Sequence, residues 1–445
     1  MLRRDLLPNE VIAMGVTRMR AETASSGDFP PVKKREIFGW CCFDFANSAF
    51  TTIIITVVYA RYFAAVVAEG DARTAGWWGT TLSLSQAVVL LGSPLVGAIA
   101  DVTAKKKLFL MLSAMACSIA TVALMGAGPG DVVLALVIVG GANVAFALSE
   151  NICAAFLPEI STPKNVGRIS GYGWSFGYFG GLLSLVLALV VIRSGEGRVP
   201  WTFLMTGLFF FVASLPTLLL LKERAVPRVR RPGETYPRLA WGQLVQMRRD
   251  LPQHRTLAIF FGAMTLFVSG LMAVVGFAAL YAGEVIGMSQ DEVIVLFALL
   301  QLAGVAGAFG FGFLQDRVGP KLTLILALVL WVVVCGWAAA SQTKTEFYII
   351  GGLAGIALGS LQSASRAVVS TLTPPGRAGE FFGYWGFFGK LAGVIGPLVF
   401  GWMATAVGYR VAILTNGGFF LAGLLVLLTI SLRPAAADSD KLASS

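Results

Sequence analysis

Twelve apolar runs, each long enough to cross a bilayer, constrain this chain more than any other feature. They fall at 38–67, 76–100, 107–126, 131–157, 168–193, 199–221, 257–282, 290–315, 321–341, 345–373, 379–405 and 408–432. A hydrocarbon core takes about 20 apolar residues per helical span. Within it only helices and closed barrels satisfy their backbone groups, and unbroken runs of this length read as helices. Charged residues make up 13% of the chain, against about 25% in soluble domains, so a water-soluble enzyme or binding module is excluded. The expected fold class is an all-α membrane protein with twelve transmembrane helices in two pseudo-symmetric six-helix bundles.

The two bundles are expected because the chain repeats itself. Gly97 to Lys107 reads GAIADVTAKKK and Gly312 to Lys321 reads GFLQDRVGPK. Each sets a Gly four residues before an Asp, then basic residues, in a short break between apolar runs. Further on, Pro163 to Gly181 and Pro375 to Gly393 align Gly171 with Gly383, Tyr172 with Tyr384, Gly177 with Gly389 and Gly181 with Gly393. Internal repeats in a many-span protein are the mark of a secondary transporter. The expected division is a tail (1–36), a first bundle (37–221), a basic central loop (222–256), a second bundle (257–432) and a second tail (433–445).

Of the 34 Lys and Arg, 26 lie in the tails and the even-numbered connections, while the odd-numbered connections hold Arg73, Arg193, Arg198, Lys344 and Arg410. Positive residues stay cytoplasmic, which places both termini inside a cell membrane, the inner membrane in a bacterium. The net charge of +10 therefore needs no nucleic acid. Arg228, Arg230, Arg231, Arg248 and Arg249 of the central loop suit anionic membrane lipid, with a regulatory docking site as the alternative. Trp241, Leu244, Val245 and Arg248 have the spacing of a short surface helix. Cys41, Cys42, Cys117, Cys153 and Cys335 sit in or beside apolar runs and read as small buried residues, not a disulfide or metal framework. The first 35 residues hold no apolar stretch of signal-peptide length and are expected to be a disordered tail.

Charges inside the membrane are costly and face a cavity or one another. Five fall in the spans: Asp44, Arg61, Glu150, Arg366 and Lys390. Asp44, Asn47, Ser48 and Thr51 form a polar stripe at helical spacing on span one. Asn143, Ala147 and Glu150 share a face of span four; Gln362, Ser363, Arg366 and Ser370 share one of span ten. Arg61, about 25 Å beyond Asp44 along the helix, is expected to snorkel to the outer interface. The other four charges fit structural ion pairs between the bundles. They equally fit a site of both signs, in which Arg366 or Lys390 holds a carboxylate and Asp44 or Glu150 an ammonium. A pathway carboxylate also suits proton coupling, and Glu150 is the better placed because it is expected to lie deeper, with Asp44 near the interface. The glycines of spans five and eleven read as close helix packing, and Trp174 and Trp385 among them as cavity walls or interface anchors.

The repeated loop resembles the signature loop of the major facilitator superfamily, at the right span numbers in both halves. In that family the loop helps hold the bundles together in one state, which implies a gating role for Asp101, Lys105, Asp316 and Arg317. The second copy, DRVGPK, is close to the family pattern; the first, DVTAKKK, lacks the Arg after Asp and the inner Gly. FGWCCFDFANSAF (38–50), the segment 155–181, LQSASRAV (361–368) and GEFFGYWGFFGKLAGVIGP (379–397) together resemble the vacuole-effluxer-like branch. This resemblance runs from about residue 36 to 432. It implies that spans one, four, seven and ten line a central pathway. Fungal members export amino acids from the vacuole, which implies amino-acid efflux; a proton co-substrate is expected from the pathway carboxylates alone, with facilitated diffusion as the alternative. The polar stripes and intramembrane charges give the candidate substrate site as Asp44, Asn47, Ser48, Thr51, Asn143, Glu150, Gln362, Arg366 and Lys390.

Other function classes are less well supported. An integral membrane enzyme would need a catalytic cluster, yet the only His, His254, lies in the basic loop and is expected to be solvated. No G-x-x-x-x-G-K-[ST] loop is present, so direct drive by ATP has no support. A membrane sensor that binds without transport, or a carrier of sugars, nucleosides or organic acids, remains open. No cofactor and no metal are expected, and the chain is expected to act as a monomer.

Overall fold

The computed structural model describes residues 32–161, 166–224, 227, 235–373 and 377–431. Residues 1–31 of the first tail and all of the second lie outside the described residues, as do Arg228, Arg230 and Arg231 of the central loop and the side chains of Asp101 and Asp316; Lys34, Arg35 and Glu36, expected in the tail, already belong to the first helix. The first half comprises α1 (Lys34–Val67), α2 (Thr74–Thr103), α3 (Lys106–Ala123), α4 (Val132–Ala154), α5 (Val166–Arg193) and α6 (Trp201–Leu220). The surface helix α7 (Tyr236–Gln253) follows. The second half comprises α8 (Arg255–Glu284), α9 (Gln290–Val318), α10 (Pro320–Ala340), α11 (Lys344–Leu372), α12 (Ala378–Val407) and α13 (Tyr409–Leu428). All but α7 are long and apolar enough to cross a membrane, and the described residues hold no strand. With twelve spans, α1 begins and α13 ends on one side, which we call the tail side; the other is the far side.

The repeat seen in the sequence is a repeat in packing. Within the first half, α1 packs on α5 and α6, α3 on α4 and α6, and α2 on α4. Within the second, α8 packs on α12 and α13, α10 on α11 and α13, and α9 on α11, pair for pair the same. Even a single lysine contact recurs. Lys107, at the start of α3, donates to the Leu221 carbonyl at the end of α6, 2.9 Å away; Lys321, at the start of α10, donates to the Ile430 carbonyl beyond α13. Each cation meets the negative end of a helix and satisfies one of its orphan carbonyls. These basic residues thus fasten the third span of each half to its last.

Helix approach is set by glycine where backbones touch. A Cβ on Gly180 of α5 would collide with the Phe45 carbonyl of α1, and one on Gly396 of α12 with the Ser269 carbonyl of α8. Gly171, Gly383, Gly386 and Gly389 meet nothing within 4 Å, so only part of the expected glycine packing is used. Along α1 the α-helical period itself stops at Ala49. Phe50–Val57 and Phe63–Val67 are π-helical, with Val58 N–H bonded to the Ile53 carbonyl at 2.9 Å and Ala68 N–H to that of Phe63 at 2.8 Å. The residues 51–58 are all β-branched, and crowding at Cβ disfavours a regular α-turn.

α7 packs on α2 and on α8, so it straps the first half to the second on the tail side. Its inner face carries Ala240, Leu244, Met247, Asp250 and Leu251. Asp250 accepts a hydrogen bond from Tyr384 Oη of α12 at 2.7 Å and pairs with Arg377. Burial alone would push its carboxyl up; the hydrogen bonds from Tyr384 and Arg377, with the Arg377 charge, more than offset this and hold it below the usual carboxylate range. His254, expected to be solvated, instead packs edge-on against Phe381 of α12 with ring centroids 5.0 Å apart.

Two outcomes are expected. Gly180→Val and Gly396→Val each cost about 1–3 kcal/mol through overpacking, read as lowered melting temperatures of the purified protein, while Gly386→Ala changes it little. Asp250→Asn loosens the strap, read as faster tryptic cleavage after Arg248 and Arg249. Because folding depresses the Asp250 pKa, its anchoring is complete at neutral pH and is lost as pH falls through the folded value.

Candidate functional site

The halves meet chiefly through α2 with α12, α5 with α9 and α1 with α8, and one set of polar contacts between them lies on the far side. Gly76 N–H donates to Thr405 Oγ1 at 2.9 Å and Trp402 Nε1 to Thr80 Oγ1 at 3.0 Å. Trp78 Nε1 donates to the Gly276 carbonyl at 3.0 Å, and Gln290 Nε2 to that of Val57 at 3.2 Å. Arg193 of α5 pairs with Asp291 of α9 at 2.8 Å. Arg61 belongs to this seal. Instead of snorkelling outward it is largely enclosed against Gly283 of α8, with Nη1 buried and without a hydrogen-bond partner, in the field of Glu284 and Glu292. Toward the tail side, Gly92 and Gly97 of α2 and Gly389, Gly386 and Gly383 of α12 meet no neighbour within 4 Å. The contact between α2 and α12 thus closes on the far side and opens on the tail side.

At the mouth of that opening the intramembrane charges converge. Lys390 Nζ of α12 donates to Glu150 Oε2 of α4 at 3.0 Å, a pair that bridges the halves. Its carboxylate is about half exposed (47%) and its lysine mostly covered (17%). Arg366 of α11 donates to Ser170 Oγ of α5, a second bridge. Its guanidinium lies over Trp174 of α5 at 5.4 Å and over Trp385 of α12 at 5.9 Å, one indole from each half. Such stacking suits the planar, weakly hydrated guanidinium far better than a lysine. Asp44 of α1 lies within the field of both Glu150 and Arg366. It fits there because α5 has Gly173 opposite: a Cβ at that position would collide with the Asp44 carboxylate and with Trp40.

The remaining expected residues divide. Ser48 donates back to the Asp44 carbonyl at 2.7 Å, Asn47 is buried, and Thr51 already lies in the π-segment, so the stripe on α1 does not continue in α-helical phase. Asn143 donates its amide to Ser85 of α2 at 2.5 Å inside the first half, away from the charges. Gln362 has a buried Oε1 without a hydrogen-bond partner on the same helix as Arg366, and Trp385 Nε1 is likewise buried and unpartnered. Glu150, expected to be the deeper carboxylate, is the exposed one; Asp44 is enclosed. Of the loop residues, Lys105 and Arg317 are exposed. Ser170 was missed: nothing in its serine code separates it from the many helix-packing hydroxyls.

A cysteine in place of Glu150 reports the opening. Glu150→Cys is expected to react with a charged thiol reagent supplied from the tail side, while the five native cysteines, all buried, stay unmodified. Mass spectrometry after one-sided labelling of vesicles checks this, and labelling from the far side alone would contradict the geometry.

Residues 164–440, more than half of the chain, match the family model "Vacuole effluxer Atg22 like". The uncharacterized MFS-type transporter YxiO of Bacillus subtilis is 24% identical over 402 residues, covering 87% of this chain and 93% of its own. Autophagy-related protein 22-1 of Penicillium rubens is 27% identical over 258 residues, covering 53% of this chain; the match spans only 44% of that fungal protein. Among solved structures, a bacterial homolog of the human lysosomal transporter Spinster, inward-facing and unoccupied, superposes with a TM-score of 0.67 at 15% identity, over 90% of this chain and 98% of its own. The nucleoside transporter NupG, in a mutant form, gives 0.67 at 14% identity, over 88% and 99%. These likenesses carry the fold, with its twelve spans in two repeated halves. The chain belongs to the vacuole effluxer Atg22-like family and is a multi-pass transporter of the major facilitator type.

Proposed function

We propose that this transporter moves a zwitterionic small solute, an amino acid, by alternating access between its two halves. One observation carries the reading: groups of both signs, supplied by both halves, meet where the halves part. Arg366, stacked between Trp174 and Trp385, receives the carboxylate, helped by the unpartnered indole N–H of Trp385. Asp44 or Glu150 receives the ammonium. Substrate entry competes with the Lys390–Glu150 pair, so binding loosens a contact that ties α4 to α12. A ligand that interacts differently with the two states shifts their balance by that difference.

The basic tail side is cytoplasmic by the distribution of Lys and Arg, so the state described here opens inward. The family's description as a vacuole effluxer favours efflux. Asp44, enclosed and next to a cation that substrate would engage, is the carboxylate best suited to carry a coupled proton. This moves the coupling role from Glu150, which is exposed in this state. Asn143 and Thr51 serve the helix scaffold more than the solute. Asp101, Lys105, Asp316 and Arg317 act at the loops that would close the tail side in the opposite state.

The test is thermal stability of the purified protein against amino acids, short peptides, sugars, nucleosides and organic acids. A ligand at a hundredfold excess over Kd raises stability by about 2.7 kcal/mol. The expected result is a shift with amino acids that Arg366→Ala and Glu150→Gln abolish and that Arg366→Lys reduces. A shift with sugars, nucleosides or organic acids alone would overturn the zwitterion reading. Binding without counterflow in liposomes would assign a sensor instead.

A further inference from the structure

The outer face of α7 is unlike its inner one. Ala240, Leu244, Met247 and Leu251 turn inward onto the bundle, and Asp250, the one acidic residue of the helix, turns inward with them. What remains outside is one-signed. Trp241 is 67% exposed, and Arg248 and Arg249 are exposed beside it; Arg255 continues the exposed face at the start of α8. An indole and guanidinium groups on one face of a helix at a membrane border fit the headgroup layer, where an aromatic ring sits at the interface and cations meet anionic lipid. The helix is too polar to enter the hydrocarbon and too basic to be indifferent to the charge of the leaflet it borders.

The same helix is mechanically committed. Its C-terminal end is fixed to α12 by Asp250 with Arg377 and Tyr384, and by His254 on Phe381. Its body lies on α2. α2 and α12 are the two helices whose tail-side ends part in this state, and α12 carries Trp385 directly after Tyr384 and Lys390 one to two turns beyond it. A force on the outer face of α7 therefore reaches the pair of helices that open.

We propose that the Trp241–Arg248–Arg249 face of α7 is a docking surface for anionic lipid headgroups, and that lipid engaged there steadies the tail-side end of α12 through Asp250. The occupant is lipid because every charge on the exposed face is basic, the face carries an exposed indole, and the helix lies between two membrane-spanning helices. This inference stands apart from the identity of the solute and survives any result of the ligand panel.

The test uses the full chain in nanodiscs of phosphatidylcholine alone or with one third phosphatidylglycerol, read by amide hydrogen exchange. Each arginine near an anionic surface is worth about fivefold in docking, so the pair is worth on the order of twenty-five-fold. Exchange across 236–253 is expected to slow in the anionic discs and to speed up again with salt. Arg248→Gln with Arg249→Gln should abolish that slowing, Arg248→Lys with Arg249→Lys should retain it, and exchange within the spans other than α12 should stay unchanged in both. The first turns of α12 should also slow with anionic lipid in the natural protein but not in Asp250→Asn. Equal exchange in the two discs, or slowing that survives the double glutamine variant, would overturn the lipid surface. So would slowing reproduced in neutral discs by inorganic phosphate, which would mark a soluble anion, or by an added cytosolic protein fraction, which would mark a protein partner. Slowing of α12 that persists in Asp250→Asn would overturn the coupling.

Discussion

In hydrocarbon, helices gain nothing from hiding apolar surface from one another, so what joins them is close backbone approach and the few polar contacts the sequence allows. The rest of this structure depends on that constraint. Gly180 against the Phe45 carbonyl and Gly396 against the Ser269 carbonyl bring the first helix of each half against its fifth. Gly79 does the same across the halves, against Pro397 and Gly401 of α12. Where glycines have no neighbour, as at Gly386 and Gly389, the halves separate. Position along the helix thus decides whether a glycine makes a contact or borders an opening.

The charges follow from the same geometry. An ionised side chain at membrane depth must find a partner or water, and the partners available lie on the other half. Lys390 reaches Glu150 and Arg366 reaches Ser170 and Trp174, so each bridge is a tie between bundles, made of the same groups that the proposed site uses. Removing one partner leaves a buried or half-buried charge uncompensated, which costs more than the pair contributes. In the proposed cycle, structural and binding roles are therefore two states of one arrangement.

Much of the fold was legible because it rests on length and repetition. Runs of twenty or more apolar residues can do little else than span, and two copies of a Gly-x-x-x-Asp loop locate the symmetry. Asp44, Glu150, Arg366 and Lys390 were legible because charge inside a span is rare. What failed was phase and depth. The α1 stripe was read at a constant 3.6-residue period, which ends at Ala49 where the β-branched run forces wider turns. Arg61 was sent outward by distance along its helix, but Gly283 opposite leaves room for it to stay inside the seal. Asn143 shared a face with Glu150 on paper, yet Ser85 on a neighbouring helix claims its amide. The contact between α7 and α12 was invisible, since nothing in either segment alone names Asp250 and Tyr384 as partners.

The two wide-turn segments of α1 also mean that this helix is keyed separately at its two ends. Each inserted residue rotates everything beyond it by about 100° around the axis. The end bearing Asp44 is oriented for the opening, and the end bearing Arg61 for the closed seal, with no single face shared between them. A helix built this way has slack in its winding. Converting one wide turn to a regular one would turn one end relative to the other while keeping nearly every backbone bond. The same span can then serve as wall on one side of the membrane and as plug on the other, and exchange the two duties by a change of pitch.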